Sequence, residues 1–198
     1  MLKVGITGGI GSGKTTACRL FEQLGVPVYY ADDRAKWLQN NEPSLISEIK
    51  EIFGTHIYIN GELNKVELGK IVFSDKKKLE ALNAIVHPAV FKDAAEWQEK
   101  QQKKAVAYTL KEAALLFETG SYKTLDKIIV VSAPLELRIE RVMSRDKLSR
   151  EEVIKRINNQ MPQEEKEKMA DFVLNNLSLQ NLEREVLNLH HLIKDKYC

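Results

Sequence analysis

The sequence predicts an α/β protein, with a parallel sheet of about five strands and a helical insertion. Three observations predict it. Leu2, Val4 and Ile6 alternate with Lys3 and Gly5 as a short strand, and a glycine-rich loop and a helix follow at once. Further apolar runs at Val26–Tyr30, Ala105–Leu110, Lys127–Ser132 and Phe172–Leu174 alternate with helical stretches, as parallel strands joined by crossovers do. Residues 34–104 carry helical periodicity and few strand signals.

Taken in order, the first helix runs from Lys14 to Leu24 and stops at Gly25, a natural C-terminal residue. Pro27 breaks the connection, and the second strand ends at Ala31-Asp32-Asp33. In the insertion, Leu45, Ile46, Ile49, Ile52 and Phe53 form one helical stripe, and Leu68, Ile71, Val72 and Phe73 form another. Asn60-Gly61 marks a turn or small hairpin. Leu79, Leu82, Ile85 and Val86 lead to His87-Pro88, where the proline should end or kink the helix, and a polar helix reaches Lys104. Such an insertion is expected to wall a substrate site over the strand ends. Lys127–Ser132 is the clearest buried strand, and Pro134 opens the next helix. Residues 149–169 are highly charged, with Ser149 and Glu152 placed as a capping box, and Leu179–Ile193 is an amphipathic closing helix. The core is thus expected over 1–33, 105–148 and 170–198, the insertion over 34–104 and a lid over 149–169.

The chain has 198 residues, 30 Lys+Arg against 28 Asp+Glu and a net charge of +2. This balance makes no case for nucleic acid or a membrane surface, so any anionic ligand must be met by local clusters. Cys18 and Cys198 suggest reduced thiols and no disulfide framework, with Cys18 a small core residue. The strand at the very start leaves no room for a leader, and no apolar run approaches the ~18 residues of a membrane span. A cytoplasmic protein is expected; the oligomeric state stays open.

Residues 8–15 read Gly-Gly-Ile-Gly-Ser-Gly-Lys-Thr, the G-x-x-x-x-G-K-[ST] phosphate-binding P-loop. Glycines let backbone N–H groups turn inward around phosphate oxygens, and the helix N-terminus adds partial positive charge there. Lys14 should reach the β- and γ-phosphates of a nucleotide, and Thr15 should place its hydroxyl on Mg²⁺. In an open parallel sheet, ligands sit at the carboxyl ends of the strands, which singles out Asp32, Glu112 and Asp171. Asp32 could take or orient the proton of an attacking hydroxyl, or cap the next helix. Glu112 could hold Mg²⁺ through water, orient a substrate, or end its strand in solvent; Asp171 reads as structural. Arg138, Arg141 and Arg145 recur at i, i+3 and i+7 on one helix face, followed by Arg150, Lys155 and Arg156. Such a series can close on a transferring phosphoryl group, or pair with Glu140, Asp146, Glu151 and Glu152 on a solvated face.

Several segments together resemble the dephospho-CoA kinase family, within the P-loop nucleoside-monophosphate-kinase-like group. Thr7 to Thr15 matches the family's wording of the P-loop. Ala31-Asp32 is similar to the tail of its Asp-Ala-Asp motif, Val86-His87-Pro88 to its Leu-His-Pro, and Leu115-Leu116-Phe117-Glu118 to its Pro-Leu-Leu-Phe-Glu. Arg141, Arg145-Asp146 and Arg156 to Gln160 resemble its lid, and Ala170 to Leu174 with Asn176 its last strand. Tyr30, Ala114 and Leu177-Ser178 depart from the pattern. The resemblance implies a P-loop kinase three-layer sandwich that uses ATP and Mg²⁺ to phosphorylate the ribose 3′-hydroxyl of dephospho-CoA. It implies Asp32, Lys14 and Arg141 as catalytic residues. Gly9, Ile10, Gly11, Ser12, Gly13, Lys14, Thr15, Thr16, Arg138 and Asn176 would hold ATP; Thr7, Asp32, His87 and Glu112 would face the acceptor; Thr15 would hold the metal. Two other readings stand beside it: a P-loop kinase for another small-molecule hydroxyl acceptor, a nucleoside or a shikimate-like or gluconate-like compound, and a nucleotide-controlled switch with no acceptor.

Overall fold

The computed structural model describes residues 1–197, and Cys198 lies outside the described residues. Its elements follow in order: β1 (Leu2–Thr7), α1 (Lys14–Gln23), β2 (Val28–Tyr30), α2 (Ala31–Asn41), α3 (Pro43–Phe53), β3 (Tyr58–Ile59), β4 (Glu62–Leu63), α4 (Lys65–Ser74) and α5 (Lys76–Gln102). They continue with β5 (Tyr108–Glu112), β6 (Lys127–Ser132), α6 (Leu135–Asp146), α7 (Arg150–Asn158), α8 (Gln163–Lys168), β7 (Phe172–Asn175) and α9 (Leu179–Tyr197). The chain divides into two compact units, residues 1–30 with 100–198, and residues 31–99.

The first unit is built on a five-stranded sheet of order β2-β5-β1-β6-β7, every pair parallel. Central strands in such a sheet are covered on both faces, so their sequences are near-continuously apolar. Ile128 to Val131 of β6 are all buried, as are Val4 and Ile6 of β1. Ala17, Cys18 and Phe21 of α1 and Leu182, Val186, Leu189 and Ile193 of α9 join those strands in one apolar cluster. Burial pushes the Cys18 thiol far up, which makes it an inert core residue. Because all the strands run the same way, the loop after β1 lies at the carboxyl end of the sheet, beside the ends of β5, β6 and β7.

The second unit has its own core. Leu45, Ile49 and Phe53 of α3 meet Leu68 and Val72 of α4 and Leu82 and Val86 of α5. Asn60 and Gly61 join β3 to β4 with φ of 51° and 86°, the two positive values a tight hairpin turn demands.

Three elements depart from the sequence expectation. The helix does not end at Pro88: α5 runs through it for 27 residues. Leu82 and Val86 before the proline and Ala89 and Val90 after it enter the same apolar cluster, and their burial outweighs the roughly 3 kcal/mol that a mid-helix proline costs. The third strand starts at Tyr108, because residues 103–105 form a turn that closes with Ala105 at φ 54°, and it extends through Lys111 and Glu112. Phe73 leaves its apolar stripe and is 88% exposed.

Candidate active site

The loop of residues 8–13 leads from β1 into α1, whose first turn leaves backbone N–H groups without intrahelical acceptors. Gly11 and Gly13 have φ of 80° and 94°, values that suit only glycine. A side chain at Gly11 would also strike the backbone carbonyl of Arg138, and one at Gly13 the amide of Asn176. Lys14 Nζ donates to Gly8 O at 2.9 Å, which bends the ammonium back over the loop. Thr15 and Thr16 lie exposed in the first turn of α1.

Residues from α6 and from the end of β7 brace this loop from behind. Arg138 is 5% exposed, and its Nε donates to Ile10 O at 3.1 Å. Its guanidinium lies where a Cβ on Gly9 would be, 2.5 Å from the ideal position. Burial lowers its pKa, and Glu164 and Glu167 act against that. Asn176 is buried; its Nδ2 donates to Ser12 O at 2.8 Å, and its own N–H donates to Ser132 O at 2.7 Å. Arg141 Nη2 reaches Asn176 O and Oδ1, both at 3.3 Å. Arg141 Nη1 and Ser12 Oγ are buried without a hydrogen-bond partner among the described residues. Unpaired buried donors are costly and are completed by a ligand or water. A cationic donor left open beside the loop therefore fits an anionic ligand.

The most informative contacts come from Gln160, at the end of the lid-like segment, and from Gln163 and Lys166, which no motif announces. Gln163 Oε1 accepts the N–H of Gly9 and Gln160 Oε1 that of Ile10, both at 2.9 Å. Lys166 is completely buried, pairs with Glu118 at 2.8 Å and donates to Ala114 O at 3.2 Å. Glu118 also accepts the N–H of Met161. Burial alone would raise the Glu118 pKa, but the Lys166 ammonium and the Met161 N–H hold it below the ordinary carboxylate value. Gln163 and Lys166 stand at i and i+3 on α8, in a stretch reading Gln-Glu-Glu-Lys-Glu-Lys that gives no apolar signal of burial. The Gly9 and Ile10 N–H groups, expected to face ATP, meet these glutamine oxygens in the structure. Further along the loop, the Ser12 N–H is tied to Gly9 O at 3.1 Å.

The other expected residues sort as follows. Asp32 lies in the first turn of α2, where its charge suits the helix N-terminus, and it is not the cap itself. Glu112 is the last residue of β5, buried, in register with Ile6 of β1 and Tyr30 of β2. Burial raises the pKa of both Cys18 and Tyr30, and the Glu112 carboxylate adds to it. Thr7 is buried and its hydroxyl donates to Ala114 O at 3.3 Å. His87 is half-buried in α5, and burial lowers its pKa. Tyr30 donates its hydroxyl to Glu22 of α1 at 3.0 Å. Asp171 does not lie past a strand: it precedes β7 and accepts from Ile128 N and Lys127 Nζ, both at 2.8 Å, at the opposite end of the sheet. Of the arginines, Arg145 and Arg156 pair with Asp146, and Arg150 pairs with Glu136. Arg138 and Arg141 turn toward the loop.

A cavity of about 710 Å³ opens between Pro134, Leu135 and Arg138 on one side and Gln160, Gln163 and Leu177 on the others. Among the described residues no three His, Cys, Asp or Glu side chains gather as a metal site. Thr15, exposed at the start of α1, is the side chain of the loop whose hydroxyl could hold a metal together with phosphate oxygens. No helix among the described residues is long and apolar enough to cross a membrane.

Residues 2–181 match the family described as dephospho-CoA kinase. The chain belongs to the dephospho-CoA kinase family. It is 37% identical over 188 residues to a dephospho-CoA kinase of Bacteroides fragilis, covering 95% of this chain and 91% of that one. A crystal structure of a Thermus thermophilus protein superposes with a TM-score of 0.85 at 38% identity, over 96% of each chain. A dephospho-CoA kinase from Campylobacter jejuni gives 0.75 at 29% identity, over 99% of this chain and 98% of its own. The fold expectation of a parallel five-stranded sheet flanked by helices is borne out.

Proposed function

We propose that this protein phosphorylates the ribose 3′-hydroxyl of dephospho-CoA with ATP, giving CoA and ADP. One observation carries the reading: the glycine loop is formed, braced and faced by an open arginine donor, in a chain matching the kinase family over residues 2–181. In the reaction the 3′-oxygen bonds to the γ-phosphorus, the bond from that phosphorus to the bridging β–γ oxygen breaks, and the hydroxyl proton must leave. Asp32 takes or orients that proton. Lys14 leaves Gly8 O for the β- and γ-phosphate oxygens, and Arg141 Nη1 meets the charge that develops on the transferring group. The N–H groups of Gly11, Gly13, Lys14, Thr15 and Thr16 receive phosphate oxygens, while Ser12, Arg138 and Asn176 hold the loop and border the nucleotide. Thr15 anchors Mg²⁺, which when bound screens the phosphate charge. Glu112, Thr7 and His87 shape the acceptor side, within a lid and insertion drawn as 149–169 and 34–104. A nucleotide-dependent step of this kind belongs in the cytoplasm.

The test is release of ADP from Mg·ATP with dephospho-CoA as acceptor, with the product identified by mass. Acceptor-dependent release with CoA formed is expected. ATP binding without acceptor stimulation overturns the reading and returns the acceptor question to other small hydroxyl compounds.

A further inference from the structure

We infer that Gln163, seconded by Gln160, is a positioning residue for nucleotide binding: two side-chain amides from the 149–169 segment hold the first turn of the P-loop in shape before a nucleotide arrives. The inference rests on the kinase reading above.

The accounting of backbone groups makes the case. Gly9 N–H donates to Gln163 Oε1, and Gly9 O accepts from Ser12 N at 3.1 Å. Ile10 N–H donates to Gln160 Oε1, and Ile10 O accepts from Arg138 Nε. All the backbone polar groups of these two residues are therefore tied. Four of the six residues at 8–13 are glycine, the residue that loses most freedom on ordering. A free loop of that composition would lose this freedom when the nucleotide binds, whereas a tied one loses it on folding, and pre-ordering raises affinity.

The tie is itself held. Gln163 is 8% exposed, and its Nε2 donates to Glu167 Oε1 at 3.1 Å and lies 3.4 Å from Val131 O. Ser132 Oγ donates to the same Glu167 oxygen. The amide has one workable orientation: reversing it would set an NH₂ against the Gly9 N–H and an oxygen against a carboxylate. Further along α8, Lys166 anchors the helix to Glu118 and Ala114 O. The loop's shape is thus set through α8 by the carboxyl end of β6 and the turn after β5.

The experiment replaces the hydrogen bond and keeps the bulk. Gln163→Met is titrated with Mg·ATP by calorimetry without acceptor, and the Gly9 amide is followed by ¹⁵N–¹H spectra. The expected result is an ATP affinity lower by about 10- to 100-fold, from a buried N–H left unpaired and a loosened loop. The Gly9 amide resonance should move, and KM should rise for ATP and not for dephospho-CoA. Gln160→Met, which frees a less buried N–H and leaves α8 untouched, should lower ATP affinity several-fold and guards against a Gln163 variant that does not fold. Affinities within twofold of the parent overturn the inference. So do equal KM changes for both substrates, which would mark a general loss of structure. Because ATP binding is read without acceptor, a parent protein inert toward dephospho-CoA would sink the proposed reaction while this measurement still decides the role of Gln163.

Discussion

In α7, Arg150 reaches Glu136 with side chains 46% and 63% exposed, and Arg156 reaches Asp146 with 52% and 24%. In α8, a few residues later, Lys166 is wholly buried and its partner Glu118 is 23% exposed. Both helices are rich in charge: α8 consists wholly of Gln, Glu and Lys, and five of the nine residues of α7 are Arg, Glu or Lys. What separates them is what lies beneath. Under α7, the one buried anchor is Val153, set in a small cluster with Ile139 and Val142 of α6. Under α8 lie the carboxyl end of β6 and the turn after β5, whose carbonyls need partners. A charged helix over a polar, backbone-rich surface can therefore be structural, while the same composition over solvent is a screened face. The segment expected to act as one lid has an anchored half and a solvated half.

The contrast gives a ladder of expected effects. Asp32→Asn sets the top: kcat should fall by roughly 10²–10⁴ with ATP still bound, while stability falls by no more than about 0.3–1 kcal/mol, the contribution of a first-turn helix charge. A near-normal kcat would reduce Asp32 to a first-turn helix charge. Lys166→Met should cost about 3–5 kcal/mol in urea unfolding, because it leaves the Glu118 carboxylate without its buried partner. A cost below 1 kcal/mol would erase the distinction between the two halves. Arg150→Ala and Arg156→Ala should each cost about 0–1 kcal/mol, less at high salt.

The smallest effect is in pH dependence. The Glu118 pKa is depressed in the folded state, so its contribution is complete above the unfolded carboxyl value of about 4.3 and disappears as pH falls through the lower folded value. In Lys166→Met that acid-side loss should flatten. A parent and a variant with identical acid limbs would show that Glu118 does not gain its depression from Lys166.

The sequence was most legible where local chemistry decides structure. The P-loop needs its glycines and lysine at fixed spacing, the Asn60-Gly61 turn needs two positive φ values, and the Ser149–Glu152 capping box forms with hydrogen bonds of 2.8 and 3.3 Å. It was least legible where one side chain meets distant backbone. Gln163 lies 154 residues from Gly9, and nothing in its own neighbourhood marks it as a buried acceptor. At Pro88, expected to end or kink its helix, the helix does not end, because residues on both sides of it pack in one apolar cluster. Arg145, Arg150 and Arg156 share a pattern with Arg138 and Arg141, and only the fold decides which of them find carboxylates and which turn to the loop.

Position 9 is free in the general P-loop pattern, yet here it is coupled to position 138. The guanidinium of Arg138 fills most of the space of a Gly9 side chain, with Gln163 Oε1 3.0 Å from it, whereas backbone carbonyls do so at Gly8 and Gly11. A carbonyl cannot be trimmed by mutation, but an arginine can. Among variants of this chain, alanine at 9 should therefore be accepted together with a shorter residue at 138, as a compensating pair whose effects do not add. No such second-site relief exists for 8 or 11. The glycines of one loop thus differ in evolutionary latitude, and the most changeable of them is tied to the helix that follows β6.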